Sequence, residues 1–128
     1  MLEPIPWRPR PRPPVVPEVV EPQRQEATVL LADVYRTEGQ YEQAVLQAER
    51  ALALNPNDPT AYRGLGNALN SLGRSGEAVE ALRTAMRLDP HHAVYYSTDL
   101  AAAYRHLGKY EQAITTLKEA QSRHPGWV

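Results

Sequence analysis

The chain has 128 residues, a formal net charge of −1 and no cysteine. That length supports one domain with a modest core. The near-neutral balance supplies no general attraction to nucleic acid or an anionic membrane, and the lack of thiols excludes disulfides, thiolate metal sites and a cysteine nucleophile.

No apolar run approaches the roughly 18 residues of a membrane span, and no apolar stretch follows Met1 as a signal peptide would require. Neither a nucleic-acid partner nor membrane insertion is expected. A cytoplasmic location is expected, with the periplasm open if the sequence is a piece of a longer protein.

Eight of the twelve prolines lie in residues 1–22, and all seven tyrosines lie beyond residue 34. Residues 1–23 therefore read as a proline-rich arm. Each proline removes an amide donor and pushes the preceding residue to extended geometry, so polyproline II is expected rather than helix. The run WRPRPRPP spreads Arg8, Arg10 and Arg12 around such a three-residue turn instead of along one face. A linker is the plain reading of this composition. Docking of the arm on an SH3-like groove is the functional one.

From residue 24 the pattern changes to helical periodicity. GQYEQAVLQAERALALNP (39–56), GRSGEAVEALRTAMRLDP (73–90) and GKYEQAITTLKEAQSRHP (108–125) are versions of one segment. Gly39, Gly73 and Gly108 recur at spacings of 34 and 35, as do Ala44, Ala78 and Ala113, and also Pro56, Pro90 and Pro125. The one-residue excess falls in or near HHAVYYSTD. Apolar residues follow a 3.6 period, each glycine ends a helix, and each proline stops the next. Helices are expected near 24–38, 42–54, 59–72, 76–88, 94–107 and 111–123. The short turns after the glycines make each pair antiparallel. The alanine columns suit close helix crossings.

These residues resemble the tetratricopeptide repeat (TPR), a helix–turn–helix unit of 34 residues. Residues 25–58 match through Leu31, Tyr35, Gly39, Tyr41, Ala44, Ala51 and Pro56. Residues 59–92 match through Tyr62, Leu65, Gly66, Gly73, Ala78, Leu82, Ala85 and Pro90. Residues 94–127 match through Leu100, Tyr104, Gly108, Tyr110, Ala113, Leu117, Ala120 and Pro125. Thr28, Ser97, Ala48 and Ser75 depart from the pattern. The resemblance implies an all-α, right-handed solenoid of three antiparallel helix pairs spanning residues 24–128. It also implies a concave groove, lined by the first helix of each pair, that holds a peptide or protein segment.

On that implication the groove presents Arg36, then Arg63, Asn67 and Asn70, then Arg105 and His106, with Tyr95 as an aromatic anchor near the one-residue excess. Asparagines can bond an extended backbone, and the three arginines form a strip suited to an acidic partner. The bland alternative for Arg63 and Asn67 is a solvated helix face with Arg63 paired to Asp33 or Asp99. One subgroup of the family clamps a C-terminal carboxylate. Arg63 and Asn67 supply half of that clamp, but Asp99 stands where an asparagine is needed and repels the ligand, so the clamp is not assigned.

Signals for chemistry are thin. His91 and His92 are adjacent in a turn, where neighbouring side chains diverge and no further ligand lies at helical spacing. Ser97, Asp99 and His106 hint at a triad without any oxyanion-hole turn. No catalytic residue, metal ligand or cofactor is expected, and the chain reads as a non-catalytic protein-interaction scaffold. The alternative is an assembly module. No capping helix follows the sixth, so Ile114, Leu117 and Trp127 are expected to leave an apolar edge. Self-association, the arm or further sequence would cover it.

Overall fold

The computed structural model describes residues 21–123, with side chains from Arg24 onward. Most of the arm, together with Pro125 and Trp127, lies outside the described residues. Six helices follow in order: α1 (Glu21–Thr37), α2 (Tyr41–Leu54), α3 (Pro59–Ser71), α4 (Ser75–Leu88), α5 (Ala93–His106) and α6 (Tyr110–Arg123). Each packs against its sequence neighbours, and α1, α3 and α5 stand side by side. The result is an all-α solenoid of three antiparallel pairs.

The helix starts fall within one residue of expectation except at α1. That helix begins at Glu21 and takes in three residues assigned to the arm. Pro22 sits in its first turn, where no amide donor is required and the fixed φ suits the helix.

The three repeated glycines end their helices by one mechanism. Gly39, Gly73 and Gly108 have φ of 80°, 80° and 74°, and among the described residues no others have positive φ. At each, the next amide reaches back five residues: Gln40 to Tyr35 (2.8 Å), Arg74 to Leu69 (2.8 Å) and Lys109 to Tyr104 (2.8 Å). This satisfies carbonyls that the helix end leaves open. At the start of α3, Asp58 Oδ1 accepts the Thr60 amide at 3.0 Å, with Pro59 following the cap. Its other oxygen accepts from the buried Gln25 of α1, which ties the first two pairs together.

The one-residue excess goes into α5, since four residues separate α4 from α5 just as four separate α2 from α3. Pro90–His92 form a single 3₁₀ turn, and α5 has 14 residues where α3 has 13. The core runs through the middle pair: Ala44, Val45, Ala68, Leu69, Ala78, Val79, Leu82, Leu100 and Ala103 form one buried cluster. Leu82 is the largest fully buried side chain. It fits because a Cβ on Gly66 would stand 2.7 Å from its Cγ.

Candidate peptide-binding groove

The face made by α1, α3 and α5 carries the residues expected to line a groove. Between α1 and α3 it holds an open cavity of about 440 Å³, with Arg36, Arg63 and Asn67 in its walls and Val29, Ala32 and Ala61 among its apolar lining. The helix period brings Arg63 and Asn67 to one side of α3, one turn apart.

The arginines differ in what they have left to offer. Arg36 Nη2 donates to Asp33 Oδ1 at 2.5 Å on its own helix. Arg63 Nε donates to Asp99 Oδ2 at 2.6 Å, across to α5. Two members of the expected cationic strip are thus neutralised. Arg105 is exposed and has no ion pair among the described residues. It lines a second cavity of about 400 Å³, mainly apolar, with Tyr110, Ile114 and Leu117.

The asparagines differ likewise. Asn70 Oδ1 accepts from Ser75 Oγ at 2.6 Å and lies 2.9 Å from His106 Nδ1, so Asn70 and His106 are brought together. The Asn67 side-chain amide makes no hydrogen bond among the described residues, although it is half-buried in the cavity wall. It keeps its full capacity for an incoming backbone.

Of the tyrosine pair at the excess residue, Tyr95 is exposed and Tyr96 buried. Arg63 Cζ lies 6.0 Å from the centre of the Tyr95 ring, within cation–π range, and His92 stacks on that ring at 6.0 Å. Tyr96 turns inward and donates its hydroxyl to Asp89 Oδ2 at 2.9 Å. Burial first, then that hydrogen bond, pushes the Tyr96 hydroxyl up to about 12. Asp89 is held below the usual carboxylate range by its bond with His92, 3.0 Å away, and then by Tyr96. Sequence reasoning named Tyr95 and His92 but not this chain of contacts. The pairing of Asp89 with Tyr96 crosses the irregular turn, where no helical spacing signals it.

The three residues of the triad hint serve separate partners. Ser97 Oγ donates to the Ala93 carbonyl, Asp99 holds Arg63, and His106 meets Asn70. Among the described residues no helix is long and apolar enough to cross a membrane.

A stack of helix pairs closed by repeated glycines, with one polar face, defines a helical-repeat protein. The family model for the tetratricopeptide repeat matches residues 29–93, and a second model of that description matches residues 69–127. The chain belongs to the tetratricopeptide-repeat family. Its domains are in general protein–protein interaction modules.

The chain is 34% identical over 79 residues to Superkiller protein 3 of Schizosaccharomyces pombe, covering 62% of this chain and 6% of that protein. It is 29% identical over 99 residues to the peroxisomal targeting signal receptor of Saccharomyces cerevisiae, covering 77% and 16%. Among solved structures, one of MamA superposes with a TM-score of 0.73 at 27% identity, over 82% of this chain and 62% of that one. The chain thus spans a small part of these two curated relatives.

Proposed function

We propose that the chain is a non-catalytic interaction module that holds an extended protein segment along the α1–α3–α5 face. The observation that carries this reading is the open cavity beside Asn67, whose amide makes no hydrogen bond among the described residues while the charged groups of the same wall are internally paired. An extended segment brings one backbone donor and one acceptor per residue, and a primary amide meets both. Arg105 gives an acidic residue of the partner a cation that no carboxylate among the described residues neutralises. Tyr95, braced by Arg63 and His92, is a half-rigid aromatic platform of the type that anchors interfaces.

The test is peptide capture by the full chain against a variant carrying Arg63→Ala and Asn67→Ala. Capture is expected to fall at least about tenfold, the cost of one or two well-placed polar contacts. Unchanged capture overturns the reading.

A second reading, assembly through the repeat edges, is favoured by the exposure of Val34 at one end and Ile114 at the other. Light scattering across a concentration series tests it. A mass that rises with concentration and falls back in Ile114→Lys supports it, and a constant monomer mass removes it.

A further inference from the structure

Gly64 lies inside α3, where glycine weakens a helix because its backbone is least constrained. The other glycine of this helix has a packing reason, since a Cβ on Gly66 collides with Leu82. Gly64 has none: a Cβ built there meets no atom within 4 Å, and its φ is not in the left-handed region. The equivalent positions in the outer pairs are Leu30 and Asp99, and all three residues line the 440 Å³ cavity. The cavity is therefore a notch in a row of three positions, opened by the missing side chain in the middle.

The walls of the notch decide what fits. Their charges cancel in two pairs, Arg36 with Asp33 and Arg63 with Asp99. A carboxylate entering here meets an Arg63 whose charge Asp99 already balances, and it brings a second anion beside an Asp99 side chain that is only 19% exposed. A cation meets the mirror problem. Apart from these charges, Thr60 and Asn67, the lining is apolar, with Val29, Leu30, Ala32 and Ala61.

We infer that the notch over Gly64 is a subsite for one uncharged apolar side chain of an extended peptide, the size of leucine, methionine or phenylalanine, whose adjoining backbone amide bonds Asn67. This rests on the groove reading above and adds its anchor residue. Glycine at 64 then trades helix stability for room, as a functional site can.

The experiment is a display selection of random short peptides on the full chain, with binding of the enriched peptides measured to the wild type, Gly64→Ala, Gly64→Leu and the Arg63→Ala, Asn67→Ala variant. The expected peptides share one apolar anchor position. Gly64→Ala should weaken them about tenfold by crowding the notch, and Gly64→Leu should abolish binding. Gly64→Ala should at the same time raise Tm by about 3–6 °C. A lowered Tm would mean that the glycine serves the fold, and would overturn the inference. So would enriched peptides with an acidic or basic residue at the anchor position, or with equal affinity for Gly64→Ala. If those peptides still weaken in the Arg63→Ala, Asn67→Ala variant, the groove reading survives alone. If no peptide is enriched, or none responds to that variant, both fall.

Discussion

The middle helix pair and the outer pairs carry matching residues at matching places, yet their side chains meet different surroundings. Val45 and Val79 are each 7% exposed, while Ile114, in the same column of the last pair, is 52% exposed. Leu82 is sealed and its counterpart Leu117 is 37% exposed. At the other end Ala68 and Ala103 are sealed, and Val34 is half exposed. Burial in such an array belongs to the neighbour as much as to the residue. Each pair supplies half of an interface, and only the middle pair has both halves filled.

The sharpest way to break this comparison is to truncate the same column twice. Leu82→Ala removes a fully buried side chain beneath Gly66 and should cost about 3–4 kcal/mol in urea unfolding. Leu117→Ala removes one that is already partly in water and should cost about 1–2 kcal/mol. Equal losses would mean that the last pair is covered in solution. Gly66→Ala comes next: the 2.7 Å approach to Leu82 forces repacking, and a net loss of about 1–2 kcal/mol is expected even after the helix-propensity gain. The same substitution two residues earlier, at Gly64, should have the opposite sign. Asp58→Ala, which removes the α3 cap and frees the buried Gln25, should cost about 1 kcal/mol or somewhat more. Thermal unfolding followed by circular dichroism reads all three changes.

The same contrast explains what could be read without the structure. The helix pairs, their glycine stops and their alanine crossings were legible because they are local and written three times. The start of α1 was not, because the seven prolines before it outvote the one, Pro22, that a first turn tolerates. The groove residues were legible as positions on a helix face, and pairing of Arg63 with Asp33 or Asp99 stood as the alternative to groove contact. Choosing Asp99 required knowing how far α5 leans toward α3, which no spacing within one helix encodes. Gly64 went unnoticed for a related reason. In a sequence a glycine without a turn is a blemish, and only the empty space around its missing Cβ, set against the crowding at Gly66, gives it meaning.

The two junctions between repeats offer the finest comparison and the smallest expected effect. Where the first junction buries Ala61, the second buries Tyr96, and a buried hydroxyl needs a partner. Asp89 supplies it from the irregular turn. The folded hydroxyl titrates at about 12, against 10.0 for a free tyrosine. Between those values the unfolded chain has lost a proton that the folded chain still holds, so raising the pH favours unfolding. The stabilisation from Tyr96 is therefore complete below about pH 10 and drains away toward pH 12. Tyr96→Phe should lower Tm by a few degrees at neutral pH and flatten the alkaline fall relative to the wild type. Ala61, with nothing to ionise, gives the first junction no such dependence. If Tyr96→Phe and the wild type lose stability in parallel between pH 10 and 12, the Asp89 contact does not hold the second junction, and the two junctions differ only in the volume they bury.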